Sequence, residues 1–231
     1  MQFGGLQKTT LVDYPGRVAA TVFTLGCNFR CPYCHNLELV LPDLIEKQPK
    51  FSEEEILSFL RQRQGLLTGL CITGGEPTIH SDLEDFIKKV KELEYKVKLD
   101  SNGSRPEVLR KLIGSQLIDY VAMDIKAPLE KYHLFTNGQD FRQQISDSIN
   151  LLKEGKVDYE FRTTLAPDIL TEEDIFKIVE LIKGAPKYFL QRFKGIKTLD
   201  PSFSRKKPWP EEKMRELVAK IKPLFSECEL R

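Results

Sequence analysis

The sequence predicts an α/β fold built on a mostly parallel sheet, and three observations predict it. β-rich runs alternate with helical periodicities from about residue 17 to residue 193. There are six such strand–helix units, and alternation of this kind implies parallel pairing with both sheet faces covered. No fixed-period repeat, low-complexity tract or interior linker divides the 231 residues, so one domain is expected over 1–231, with a core at about 11–193 and a tail at about 199–231. Six units are too few for an eight-stranded barrel. They leave an open barrel or a doubly wound sheet.

The elements follow in order. Residues 17–25 contain VAATVFTL, the first long strand. Residues 36–50 form the longest loop. Ser52 with Glu55 three residues later is a capping box that opens a helix. Residues 70–73 are a short strand ending in Gly74-Gly75. Leu83, Phe86, Ile87, Val90 and Leu93 recur at the helical period. Residues 96–99 are a strand, 105–113 a helix and 119–125 a strand. Residues 141–154 are a helix stopped by Gly155. Residues 157–165 are a strand, and Thr171 to Asp174 caps a helix reaching about residue 183. Residues 188–193 form the sixth strand and 211–221 the last helix. The tail at 228–231 is read as a closing strand.

Lysine plus arginine (35) balances aspartate plus glutamate (34), a net charge of +1 that gives no argument for nucleic acid. The run Arg205-Lys206-Lys207 is read as a solvated loop. No apolar run is long enough to span a membrane and no apolar signal region opens the chain, so a cytoplasmic protein is expected. Of five cysteines, three fall within eight positions. An odd count and tight clustering point to metal ligation rather than disulfides.

That cluster is Cys27-Asn28-Phe29-Arg30-Cys31-Pro32-Tyr33-Cys34. Three thiolates on one loop suit three corners of an iron–sulfur cubane, leaving one iron open to an exogenous molecule. A structural zinc site needs four protein ligands. His35 directly follows Cys34 and is poorly placed to close a tetrahedron, which leaves Cys71 or Cys228 as recruits. Further along, Gly74-Gly75-Glu76-Pro77 ends a strand. Asp100-Ser101-Asn102-Gly103 and Asp124-Ile125-Lys126 also fall at strand C-termini, the edge where α/β folds bind ligands. Asp124 and Lys126 alternate, so they share a face and could bind a zwitterion. Asn102-Gly103 alone is ordinary turn chemistry.

CxxxCxxC with an aromatic residue, Tyr33, before the last cysteine resembles the radical S-adenosylmethionine (radical SAM) superfamily. Gly74, Gly75, Glu76 and Pro77 resemble its GGEP motif, which binds the amino group of S-adenosylmethionine. The run from Leu11 to Gly16, followed by Phe23 to Asn36, is similar to activating enzymes of glycyl-radical enzymes. It is most similar to those of anaerobic ribonucleoside-triphosphate reductase. The resemblance implies a partial (β/α)6 barrel and a [4Fe-4S] cluster held by Cys27, Cys31 and Cys34. It also implies S-adenosylmethionine surrounded by Tyr33, Gly74, Gly75, Glu76, Asp100, Ser101, Asn102, Asp124 and Lys126. Implied partners are a glycyl-radical enzyme and an electron donor such as flavodoxin or ferredoxin. Pyruvate formate-lyase activases carry a histidine near the last strand; this chain has Gln191 there, a candidate substitute, and the departure favours the reductase. Competing readings are a radical SAM enzyme acting on a small molecule, like 7-carboxy-7-deazaguanine synthase, and a non-catalytic zinc or iron–sulfur module. Cys71 is expected in the apolar core, Cys228 to be incidental, and Trp209 to anchor the tail by packing. If Trp209 and the helix from Glu211 covered the barrel opening, only a small closed pocket would remain.

Overall fold

The strands of this computed structural model, which describes residues 1–231, are β1 (Gln2–Thr10), β2 (Ala19–Thr24), β3 (Phe51–Ser52), β4 (Gly69–Gly74), β5 (Lys96–Ser101), β6 (Tyr120–Asp124), β7 (Asp158–Thr164), β8 (Lys187–Gln191) and β9 (Glu227–Leu230). They form one sheet in the order β3-β1-β2-β4-β5-β6-β7-β8-β9. From β2 to β9 every pairing is parallel. β1 pairs antiparallel with both β2 and β3. A doubly wound sheet reverses its strand order at a switch point; here the parallel strands run in sequence order throughout. The edge strands β3 and β9 do not pair with each other, so the barrel is partial and open.

The helices are α1 (Leu37–Val40), α2 (Pro42–Ile45), α3 (Glu53–Gln62), α4 (Leu83–Glu92), α5 (Pro106–Gly114), α6 (Arg142–Lys153), α7 (Glu172–Leu181) and α8 (Glu211–Ile221). Both capping boxes form: Ser52 with Glu55 starts α3, and Thr171 with Asp174 starts α7. Each satisfies backbone N–H groups that a helix start leaves unpaired. Gly155, at φ +69, follows the end of α6. Leu83, Phe86, Ile87 and Val90 are the buried stripe of α4.

Alternation along each strand divides the sheet into two chemically different faces. Val97, Leu99, Val121, Met123, Phe161 and Leu190 join the helices in one apolar cluster of 51 residues. Their neighbours Lys98, Asp100, Asp124, Glu160 and Arg162 lie on the other face, and register sets Cys71 beside Lys98 and Asp124 beside Arg162. A smaller cluster of Tyr14, Ala19 and Tyr120 lies apart from the main core.

Some expectations change. Residues 36–50 hold two short helices rather than one loop, and β1 and β3 were not foreseen. Lys126 lies beyond the end of β6 rather than in it. α8 does not cover the opening: Met214, Leu217 and Ile221 join the sheet–helix core, and Cys228 of β9 is buried with them. Trp209 packs against that core, with Lys213 over its ring. No helix is long and apolar enough to cross a membrane.

Candidate functional site

Three loops meet at the C-terminal edge of the sheet. The cysteine loop leaves β2, and backbone bonds fix it on several sides. Gly26 N–H donates to Leu39 O at 2.6 Å, Arg30 N–H to Phe135 O at 2.7 Å and Cys34 N–H to Cys31 O at 2.9 Å. From the tail, Leu199 N–H donates to Cys34 O at 3.0 Å and Asp200 N–H to Pro32 O at 2.9 Å. Phe29 N–H points at Cys27 Sγ, 3.4 Å away. Burial pushes the Cys27 thiol up to about 11 and the Cys31 thiol up to about 12. Burial thus disfavours the bare thiolates, and a metal that binds there displaces the thiol protons.

The two glycines after β4 have a geometric reason. A Cβ on Gly75 would stand 1.8 Å from Gly26 O, and Gly74 has φ +119 with Thr24 N 2.4 Å from where a Cβ would be. Only glycine lets this turn lie against the start of the cysteine loop. Glu76 N–H then donates to Gly26 O at 2.8 Å.

Glu76 is almost fully buried (1% exposed) and ties this turn to the one after β5. Its Oε1 accepts from Thr78 N–H at 3.1 Å, Thr78 Oγ1 at 2.5 Å and Ser101 Oγ at 2.9 Å. Oε2 accepts from Asn102 N–H at 2.6 Å. Oε2 thus keeps a free acceptor direction, since a carboxylate oxygen has two lone pairs. Burial raises the Glu76 carboxyl despite these bonds. Asn102 extends the tie: its Nδ2 donates to Asn28 Oδ1 at 2.9 Å, within the cysteine loop.

A ladder of alternating charge lines the same end. Lys126 Nζ donates to Asp124 Oδ2 at 2.8 Å, and Arg162 Nε to Asp124 Oδ1 at 2.8 Å. Arg162 also reaches Asp100 Oδ2 at 3.1 Å, and Lys98 closes on Asp100 Oδ1. Burial would raise both aspartates, but Arg162 and Lys126 hold Asp124 well below the usual carboxylate range, and Arg162 and Lys98 lower Asp100.

One cavity gathers most of the positions that the sequence singled out. Cys27, Cys31 and Cys34 line one part; Gly74, Gly75 and Glu76 another; Asp100, Ser101, Asn102, Asp124 and Lys126 the rest. Arg162 lines it too, and sequence reasoning missed it. The available signal was the charged alternation Glu160-Phe161-Arg162 inside a strand that should be buried. Tyr33 is buried behind the loop, edge-on to Phe135 at 6.0 Å between centroids, with no partner for its hydroxyl. Gln191 ends β8 beside Thr164 (3.4 Å) and is not part of the cavity wall. Cys71 is fully buried but outside the apolar cluster, 3.8 Å from Asp100 Oδ1 and 3.7 Å from Lys98 Nζ. His35 turns outward, its Nδ1 2.7 Å from Lys197 O.

A roomier cavity, about 610 Å³, lies at the opposite end of the sheet. It is lined by cations that already have partners. Lys91 and Lys96 bind Asp119, Lys156 binds Glu154, and Arg17 and Lys187 sit over Tyr14 and Tyr120. That cavity holds no cysteine and none of the candidate site residues that the sequence singled out, most of which gather at the cysteine end.

The donor set there fits a polynuclear group. Three thiols line the cavity with no histidine and no fourth cysteine beside them, whereas a closed structural zinc site of the cysteine–histidine kind takes four such ligands. A cubane spreads its thiolates over separate irons, and three thiols along one cavity wall suit that. The polar wall opposite, with both charges represented, suits a zwitterion.

Comparison with known proteins agrees with this chemistry. Residues 21–183 match the radical SAM superfamily, and the chain belongs to it. The superfamily uses a [4Fe-4S] cluster and S-adenosylmethionine. More narrowly, the chain is 37% identical over 222 residues to a Methanocaldococcus jannaschii protein assigned as a glycyl-radical enzyme activating enzyme, covering 92% of this chain and 88% of that one. A second protein of that organism with the same assignment is 26% identical over 188 residues, 79% of this chain and 69% of that one. Among solved structures, Streptococcus suis SuiB bound to its precursor peptide superposes with a TM-score of 0.67 at 14% identity, over 90% of this chain. This chain spans 47% of SuiB, and the likeness is one of fold.

Proposed function

We propose that this chain is an activating enzyme that places a glycyl radical on a partner protein, and that the partner is anaerobic ribonucleoside-triphosphate reductase. The observation that carries the reading is the single cavity shared by three cysteine thiols, the Gly74-Gly75-Glu76 turn and the ladder from Lys126 to Asp100. The similarity to activating enzymes over most of both chains supports it, and so does the run from Leu11 to Asn36.

In this reading Cys27, Cys31 and Cys34 hold the cluster, and the polar wall holds S-adenosylmethionine. When bound, these groups would supply one-electron reductive cleavage of the sulfonium and hydrogen-atom abstraction from a glycine Cα. The chain's own part is binding, orientation and exclusion of water. Glu76 offers the free direction on Oε2 to the ammonium of the methionyl group. Lys126 and Arg162 offer cations to its carboxylate, and the aspartates keep those cations aimed. Phe29 N–H stabilises charge on the Cys27 sulfur. No side chain needs to act as a general base.

The test mixes anaerobically reconstituted protein, reductant, S-adenosylmethionine and the reductase, and reads electron paramagnetic resonance. A glycyl doublet is expected, absent when the reductase's radical glycine is changed to alanine. Failure with every glycyl-radical enzyme, alongside turnover of a small pterin-like substrate, would replace this reading with a small-molecule one.

A further inference from the structure

The basic run that the sequence left as a solvated loop ends a segment whose middle, at Lys197, Leu199 and Asp200, is bonded to the cysteine loop. Residues 192–207 hold six cations (Arg192, Lys194, Lys197, Arg205, Lys206 and Lys207) and one carboxylate, Asp200, a net +5 in a chain whose total is +1. The segment is a strap. Leu199 and Asp200 donate to the backbone of Cys34 and Pro32 at 3.0 and 2.9 Å. His35 Nδ1 meets Lys197 O at 2.7 Å, and its ring stacks on Phe193 at 6.2 Å. Gly195 packs on the carbonyls of Ser204 and Lys206, where a Cβ would meet both at 3.2 Å. That contact brings Lys194 next to the run at 205–207.

Three of these cations are spoken for. Arg192 binds Glu211 at 2.8 Å, Lys206 binds Asp168 at 3.1 Å, and Lys197 binds Glu38. Lys194, Arg205 and Lys207 are exposed, and none has a carboxylate within ion-pair distance. Beside them Ile196 is 80% exposed. An unpaired cationic rim around an exposed apolar residue is a surface for an acidic protein.

We infer that this strap surface docks an acidic one-electron carrier protein, of the ferredoxin or flavodoxin kind, that reduces the cluster. The inference rests on the reading that Cys27, Cys31 and Cys34 hold that cluster. No cysteine pair in the chain is bonded, and the two remaining thiols, Cys71 and Cys228, are buried. The electron therefore has to arrive from another molecule. In the docked encounter the carrier loses one electron and the cluster gains it, with no proton or bond exchanged. Such transfer falls steeply with distance, so the carrier needs a surface continuous with the cysteine loop, and the strap is bonded to that loop at Cys34. No residue of 192–207 lines the cavity itself. A carrier on the strap leaves the mouth open for the radical partner, which must reach the inside.

The test uses the reconstituted, full-length protein and the triple variant Lys194→Glu, Arg205→Glu, Lys207→Glu, with the triple Gln variant as an intermediate. Bleaching of the cluster is followed by stopped flow with reduced ferredoxin, with reduced flavodoxin, and with photoexcited deazaflavin as a small reductant that needs no docking. The wild-type rate with either carrier should fall as salt rises, since screening weakens steering. At low salt the Glu variant should be roughly tenfold slower with the carriers, the Gln variant intermediate, and both unchanged with deazaflavin. Unchanged carrier rates in the Glu variant would overturn the inference. So would an equal loss with deazaflavin, or a variant reduced normally by both carriers but unable to activate the reductase, which would give this surface to the radical partner. Iron content is measured throughout: loss of cluster in Cys31→Ala tests the ligand reading separately.

Discussion

Arg162 Nε donates to Asp124 Oδ1 at 2.8 Å, and the same guanidinium reaches Asp100 Oδ2 at 3.1 Å. One side chain from β7 thus sets two carboxylates, from β5 and β6, at the edge of the cavity. The planar fork of arginine suits this double role; lysine is a point charge.

Arg162→Met should be strongly destabilising. Its side chain is 13% exposed and so is that of Asp100. Removing the cation leaves two facing carboxylates with only Lys98 and Lys126 as counter-charges. Breaking one side of a buried ion pair costs about 3–5 kcal/mol. Urea unfolding of the apoprotein measures this, and Arg162→Lys should recover only part. A wild-type urea midpoint for Arg162→Met would mean that the ladder contributes nothing to the fold.

Glu76→Gln tests whether this residue serves the fold as well as the ligand. Its carboxylate accepts four hydrogen bonds from two separate turns. An amide must turn an N–H₂ toward at least one of those donors. The loss should be about 2–3 kcal/mol of stability, the scale of a charge-assisted bond exchanged for an unsatisfied donor. Affinity for S-adenosylmethionine, by equilibrium dialysis, should weaken about tenfold or more in parallel. Weakened binding at full stability would make Glu76 a ligand contact alone.

Iron content tests the cysteines without reference to turnover. Anaerobic reconstitution should give about four irons per chain, as a cubane requires. Cys27→Ala, Cys31→Ala and Cys34→Ala should each lose them, because all three thiols line the one cavity. Cys71→Ser and Cys228→Ser should retain them, since Cys71 faces Lys98 and Asp100 and Cys228 lies in the core. Loss of iron in Cys71→Ser equal to that in Cys31→Ala would end the three-ligand reading.

Local signals were the legible ones. Two capping boxes placed the starts of α3 and α7, and the helix expected at 211–221 is α8, Glu211–Ile221. The motifs at strand ends do meet in one cavity, because parallel strands in sequence order bring every C-terminal end to one edge. β1 was not legible: its stretch QFGGLQKTT is half exposed and glycine-bearing, and an antiparallel strand with one face toward solvent needs no apolar run. Arg162 and Lys98 were missed because a charge in a buried strand reads as noise until its partner on the next strand is known. Cys71 was expected among apolar neighbours; strand alternation turns it to the charged face instead. The strap could not be foreseen, since its contacts join residues more than 150 positions apart.

At the far end of the sheet, Asp119 gives a pH prediction remote from the cysteines. Its Oδ2 accepts from Lys91 Nζ at 2.7 Å and Val97 N–H at 2.9 Å, and its Oδ1 from Lys96 Nζ at 2.7 Å. Partial burial would raise this carboxyl, but the bonds from Lys91 and Lys96 outweigh it and the net shift is downward. The folded state therefore holds the charged form more strongly than the unfolded chain, where an aspartate titrates near 3.9. A depressed carboxyl contributes stability that is fully present above that unfolded value and is lost as pH falls through the lower folded one. Asp119→Asn should accordingly be less stable than wild type at pH 7, by about 2 kcal/mol on the scale of hydrogen bonds to a charged group. The gap should narrow steadily below about pH 4. Urea midpoints of the two apoproteins between pH 7 and pH 3 measure it. A gap that stays constant over that range would show that Asp119 acts through its shape and not through its charge.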